Sequence, residues 1–198
     1  LPGLSERFIY SNDDFFINTP LEPEDFFLPR NNGYVGLYHF TAGNLPLPPK
    51  HAGMSKHAQA WMNNIELLGK MFPKHRASPK NYQAHVPVPM FKQRFAEIWE
   101  NELLLPHLQR TARSKLRTSR DLYLMGFLMY YSVYGRGGQT GRKKTLYLQL
   151  RPGMSFKTAA TQVVRKNPDM FCLNDSFSGN GKASFVVSVA MTRFLNLM

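Results

Sequence analysis

Four stretches of this 198-residue chain, two of them alike, carry side chains that could do chemistry. In the first, the apolar, β-favouring run Phe8-Ile9-Tyr10 reads as a buried strand that stops at Asn12-Asp13-Asp14. Turn residues closing such a strand put carboxylates at its C-terminal end, where open α/β sheets bind ligands. Adjacent carboxylates repel one another, and a cation relieves the strain. Hard oxygen donors suit Mg²⁺ or Mn²⁺, ions that commonly sit on phosphate groups as well. On the dipeptide alone, a solvated Asp-Asp turn after an edge strand is the plainer reading. The theme recurs near the far end of the chain, where Met170 to Leu173 runs into Asn174-Asp175. Two strands ending in Asn-Asp could deliver carboxylates to one sheet edge.

The second stretch is Ala84-His85-Val86-Pro87-Val88-Pro89. Each proline biases the residue before it toward extended backbone, which gives His85 a defined direction and suits a base or a phosphate donor. A surface histidine beside a rigid loop is the competing reading. The other histidines, His39, His51, His57, His75 and His107, lack metal-ligand spacing and read as structural or exposed. The third stretch is basic, with Arg110, Arg113, Lys115, Arg117 and Arg120. Arg117 stands just before an apolar helix, and arginine is suited to bidentate phosphate contacts. Arg113 and Lys115 fit a solvated basic loop.

The elements that must hold these groups alternate between strand and helix. Residues 18–29 read as a loop, 34–40 as a strand and 42–53 as a connecting loop. Ser55 reads as the N-cap of a helix running to about Met71, with Ala58, Trp61, Ile65 and Leu68 at helical spacing. Residues 79–89 look irregular. A helix from about Met90 to Leu104 is closed by Pro106, and another is capped by Ser119, carries Asp121 in its first turn and runs to about Tyr134. The Gly-rich basic segment 135–144 reads as a flexible connection. Thr145 to Leu150 alternates as a strand, Ser155 caps a helix ending before Pro168, and Val186 to Leu197 forms a closing helix. The expectation is one α/β domain over 1–198, with a small, mostly parallel sheet and the helical segment 55–134 packed on it.

The formal net charge of +12 favours an anionic partner, such as a phosphate-bearing substrate, a polyanionic polymer, nucleic acid or an anionic membrane. The 43% hydrophobic content excludes a disordered chain. The single cysteine, Cys172, excludes an internal disulfide and a cysteine-based zinc cluster, and it fits a reducing compartment. The longest apolar run, Leu122 to Tyr131, is about half of what spans a bilayer. A soluble protein, or one held on a membrane surface by charge, is expected.

Four elements stand in order: Arg-Phe-Ile-Tyr-Ser-Asn-Asp-Asp-Phe-Phe, Ala-His-Val-Pro-Val-Pro, Leu-Arg-Thr-Ser-Arg-Asp and Phe-Cys-Leu-Asn-Asp-Ser. Together they resemble the Stealth family of sugar-phosphate transferases, which includes bacterial capsular polysaccharide phosphotransferases and N-acetylglucosamine-phosphotransferase. The resemblance covers the second, third and fourth of that family's shared regions. The first, a Tyr-Trp-Val-x-Gly type strand, has no counterpart here, so a fragment or one half of a split enzyme is expected.

The resemblance implies a fold like that of type A glycosyltransferases. It also implies transfer of a hexose 1-phosphate from a UDP-sugar to a glycan hydroxyl, releasing UMP. Asp14, His85 and Arg117 would be catalytic. Asn12, Arg117, Arg120 and Asn174 would bind substrate, and Asp13, Asp14 and Asp175 would hold Mg²⁺ or Mn²⁺. The implied partners are the donor, a polysaccharide or glycan acceptor and the missing segment or another chain, with no nucleic acid. The cytoplasm is the implied location, with peripheral association at the inner face of a bacterial membrane allowed. Two rival readings are a metal-dependent glycosyltransferase that releases UDP and a basic nucleic-acid-binding domain, although no recognised nucleic-acid motif is present.

Overall fold

Helix starts follow the local chemistry of the chain. In the computed structural model, which describes residues 3–30, 33–46, 53–75, 81–151 and 154–175, the Ser55 side chain accepts a hydrogen bond from the Ala58 amide. The expected helix therefore begins where its cap predicts. The chain divides into two compact units. The first comprises residues 1–10, 22–84 and 88–141, and the second comprises residues 11–21, 85–87 and 142–198.

In the first unit, strand β1 (Arg7–Tyr10) pairs antiparallel with β7 (Val88–Phe91). β1 is largely exposed rather than buried, with Ile9 at 42% and Tyr10 at 37%. A short helix, α1 (Pro23–Phe26), leads into β3 (Phe27–Arg30), which pairs antiparallel with β4 (Gly33–His39). The prolines at 23 and 29 thus do not make this stretch a loop. Pro23 lies in the first helical turn, where no amide is needed, and the β3–β4 register shifts between Leu28 and Pro29. β5 (Thr41–Pro46) and β6 (Asn81–Gln83) form an antiparallel pair in segments expected to be irregular. β8 (Gln139–Thr140) adds to β4 in parallel.

The core of this unit lies between helices. α2 (Lys56–Met71) buries Trp61, Leu67 and Leu68 against α5 (Leu124–Arg136), which buries Phe127, Leu128 and Met129. Gly126 makes that approach possible, because a Cβ there would collide with the Trp61 ring. Between them in sequence lie α3 (Lys92–Glu100) and α4 (Leu105–Arg113). Pro106 opens α4 instead of closing α3, since a proline in the first turn forfeits no helical hydrogen bond. Asn101 makes the break, its side-chain oxygen accepting from the Leu103 and Leu104 amides. The cap of α5 is Tyr123, four residues after the expected Ser119, and Asp121 accepts from the Thr118 amide and the Ser114 hydroxyl instead of sitting in the first helical turn.

The second unit holds a βαβ arrangement: β9 (Thr145–Leu150), α6 (Phe156–Lys166) and β10 (Met170–Asp175), with β9 and β10 parallel. Ser155 caps α6 by accepting from Thr158, and Asn167 ends it in the left-handed conformation. β2 (Phe15–Ile17) pairs antiparallel with the other edge of β10. Leu146, Leu148, Phe171 and Leu173 pack with Val163 and Phe16 on one face of this sheet.

The architecture is α/β, as expected, but it is not mostly parallel. Four of the six strand pairings among the described residues are antiparallel, distributed over small sheets. Of these, only β3 and β4 are near neighbours in sequence; β1–β7, β2–β10 and β5–β6 pair strands far apart in the chain, so nothing in their connections requires the parallel direction. The closing helix expected from Val186 to Leu197 lies outside the described residues. Among the described residues, no helix is long and apolar enough to cross a membrane.

Candidate functional site

The opposite face of the second unit's sheet carries polar and aromatic groups. Side chains alternate along a strand, so if Leu146, Leu148, Phe171 and Leu173 face the core, then Tyr147, Cys172 and Asn174 face the other way. Parallel register sets Cys172 beside Tyr147, and the antiparallel partner sets it beside Phe15. Asp14 directly precedes β2, and its carbonyl accepts from the Leu173 amide at 3.0 Å, extending the pairing by one bond. This backbone bond fixes where the Asp14 carboxylate begins. Asn18 steadies the other end of β2 by donating to the Pro168 carbonyl at 2.8 Å.

The segment His85–Pro87 brings a histidine to this face. The His85 ring lies edge-on to Tyr147, with centroids 4.9 Å apart, and to Phe15 at 6.1 Å. Donor atoms of Asp14, His85 and Cys172 all lie within 4.8 Å of one another. The Cys172 thiol donates to Asp14 Oδ2 at 3.2 Å. Asp14 Oδ1 is buried and has no hydrogen-bond partner among the described residues. A buried carboxylate oxygen without a donor is costly unless a cation serves it, so the atom fits a divalent ion.

Burial sets the acid–base character of this cluster. His85 is exposed as a residue, yet desolvation of its ring against its neighbours lowers its pKa. The Asp14 charge acts in the opposite sense without overcoming that. The imidazole is therefore neutral at pH 7, with a lone pair to accept a proton. Burial also pushes the Cys172 thiol well up, and the hydrogen bond and charge of Asp14 push it further. Cys172 thus stays protonated unless a metal displaces the proton.

Asn174 donates to the Tyr147 hydroxyl at 2.6 Å, which ties this residue to the same face as His85. Asp13 is exposed beside Asp14. Asn12 is also exposed, and its carbonyl accepts from the Phe15 amide in the turn. Asp175 ends β10, and its side chain lies outside what the structure describes.

Arg117 and Arg120 belong to the first unit, on the segment between α4 and α5. A buried carboxylate organises that segment. Asp121 is 2% exposed and accepts from the Thr118 amide at 2.6 Å and the Ser114 hydroxyl at 2.9 Å. Burial alone would raise its pKa. The hydrogen bonds from Thr118 and Ser114, aided by the Arg110 charge, outweigh burial and hold it below the usual carboxylate value. Neighbouring helices brace the rest of the segment. Asn63 donates to the Ser119 and Asp121 carbonyls, Arg110 donates to the Arg120 carbonyl, and the buried Asn64 bonds both the amide and the carbonyl of Tyr123. From this frame the exposed Arg117 guanidinium reaches His57 Nδ1 at 2.8 Å. His57 Nε2 lies 3.2 Å from the Trp61 indole N–H. Since a neutral imidazole has one acceptor nitrogen, the tautomer decides which of these two contacts is a hydrogen bond.

Of the residues singled out from the sequence, the structure brings Asp14, His85 and Asn174 onto one face of one unit and sets Arg117 and Arg120 on one braced segment of the other. The sequence reading missed Cys172, Tyr147, Asp121 and His57. A signal for Cys172 was present: it lies two residues before Asn174 on a strand and must share its face. His57 left no such trace, because Arg117 lies sixty residues along the chain, and Asp121 left none because its place near an apparent helix start reads as a first-turn charge.

No family model matches the chain. Individual relatives do. The chain is 31% identical over 180 residues to an exopolysaccharide phosphotransferase of Streptomyces coelicolor, covering 90% of this chain and 32% of that protein. It is 28% identical over 188 residues to a capsular polysaccharide phosphotransferase of Haemophilus influenzae, covering 91% and 49%. An exopolysaccharide phosphotransferase of Mycobacterium leprae is 30% identical over 182 residues, covering 88% and 31%. The chain thus spans about a third to a half of the length of these curated relatives.

Proposed function

We propose that this chain, similar over about nine-tenths of its length to exopolysaccharide and capsular polysaccharide phosphotransferases, carries a reacting centre for sugar-phosphate transfer in polysaccharide synthesis. The donor is a UDP-sugar such as UDP-N-acetylglucosamine, and the acceptor is a glycan hydroxyl. The acceptor oxygen forms a new bond to the sugar-bearing phosphorus, the bond from that phosphorus to the UMP oxygen breaks, and a phosphodiester results.

The observation that carries this reading is the pairing of a neutral His85 with the Asp14 carboxylate on one sheet face. His85 takes the proton of the acceptor hydroxyl, a contribution of roughly 10² to 10⁴ in rate for a positioned base. Phe15 and Tyr147, packed on the ring, orient it. Asp14, with Asp13 and Asp175 as further oxygen donors, would hold Mg²⁺ or Mn²⁺, which supplies neutralising charge for a pyrophosphate. Arg117 and Arg120 take phosphate contacts, a role supported by their exposure on a braced segment. Asn12 and Asn174 take polar contacts to the donor.

Product analysis tests this directly. Incubation with UDP-N-acetylglucosamine, Mg²⁺ and a glycan acceptor should release UMP and leave phosphorus in the glycan. Release of UDP with a phosphorus-free glycan would instead identify a glycosyltransferase and refute the proposal.

A further inference from the structure

The donor atoms gathered at Asp14 are not those of a magnesium shell. An imidazole nitrogen and a thiol stand beside the carboxylate, all within 4.8 Å. Magnesium takes oxygen ligands, whereas thiolate and imidazole select softer ions. Three protein ligands of mixed sulfur, nitrogen and oxygen type, with one position left open, are what a non-structural zinc site offers.

We propose that Asp14, His85 and Cys172 form a binding site for one thiophilic divalent cation of the Zn²⁺ class, and that its occupation silences His85 as a base. The Cys172 thiol keeps its proton and donates it to Asp14 Oδ2, with sulfur and oxygen 3.2 Å apart, while Oδ1 is buried and has no partner among the described residues. Binding exchanges that proton for the ion, and the proton leaves to solvent. The ion then serves the thiolate, an imidazole nitrogen and the carboxylate together, and ends the isolation of Oδ1. Cys172 is wholly buried and Asp14 half-buried, so the exposed His85 is the accessible member of the set. The lone pair that binds the ion is the one a proton would need. A hard ion would use Asp14 with oxygen donors, and a soft ion would use the triangle, so the two compete for Asp14.

Co²⁺ serves as the spectroscopic substitute for Zn²⁺. Titrated into the metal-free chain, it should produce a near-ultraviolet thiolate-to-cobalt band that saturates at one ion per chain and bleaches on adding Zn²⁺. His85→Ala and Cys172→Ser should each weaken Co²⁺ binding by about tenfold or more. Circular dichroism checks that both variants fold, and His85→Ala, made at an exposed residue, is the one that leaves the core untouched. No sulfur band in the unmodified chain, or an unchanged band in folded His85→Ala, overturns the site.

The silencing of His85 rests on the phosphotransferase reading above, whereas the cobalt spectrum does not. Turnover with Mg²⁺ should stop at the Zn²⁺ concentration that bleaches the band and return on chelation. Turnover that continues with the site loaded would overturn the silencing and the role of His85 as base, and would leave the cation site standing.

Discussion

Replacing Asp121 with asparagine removes one charge and one acceptor position from the segment that presents Arg117. The Asp121 carboxylate is 2% exposed and accepts from both Thr118 and Ser114. The Ser114 hydroxyl also lies 3.1 Å from the Arg110 carbonyl, but its single proton favours the charged acceptor. Hydrogen bonds to charged groups contribute about 1.5–3 kcal/mol each, and an asparagine can turn only one oxygen to the two donors. Asp121→Asn should therefore lose about 2 kcal/mol at pH 7, measured as a shift in the urea unfolding midpoint with an unchanged slope.

The sign of the pH dependence follows from the lowered pKa of Asp121. The charge contributes fully above the unfolded-state pKa of about 4 and loses its contribution as the pH falls through the lower folded-state value. The gap between the two proteins should thus be constant from pH 7 to 5 and narrow below about pH 4. A variant within about 0.5 kcal/mol of the parent at pH 7, or a gap that widens in acid, would refute the bracing role of Asp121.

Other perturbations test separate parts of the account. Gly126→Ala drives a methyl group into the Trp61 ring and should destabilise the first unit by about 1–3 kcal/mol, read by urea unfolding. Arg117→Ala should leave the unfolding midpoint unchanged, because the side chain is exposed, while lowering transfer by about 10³ or more in a UMP-release assay. The acid limb of the transfer rate should have its midpoint below 6.5, since burial lowers the pKa of His85 and the neutral ring is the active form. A midpoint above 6.5 would mean the Asp14 charge dominates instead.

Local chemistry made much of the fold legible in the sequence. Ser55 and Ser155 each predicted a helix start that the structure bears out. The alternation of Thr145 to Leu150 likewise predicted a strand with one buried face. Pairing direction was not legible, because whether β2 joins β10 parallel or antiparallel depends on packing rather than on Phe15 and Phe16 themselves. Prolines misled in both directions. Pro29 sits within a strand and Pro106 opens a helix, each where the missing amide costs nothing. Asp14 and His85 stood out from the sequence because turn residues and prolines flank them. Asp121 did not, since a carboxylate near an apparent helix start reads as a first-turn charge until its bonds to Thr118 and Ser114 are known.

The central claim is that this chain holds a donor site dependent on Asp14. Calorimetric titration of UDP-N-acetylglucosamine into the purified chain, with Mg²⁺ and then with EDTA, tests it most directly. The account predicts saturable binding that requires the metal and disappears in Asp14→Ala. Binding that persists unchanged in EDTA or in Asp14→Ala, or no heat with Mg²⁺ present, would contradict it.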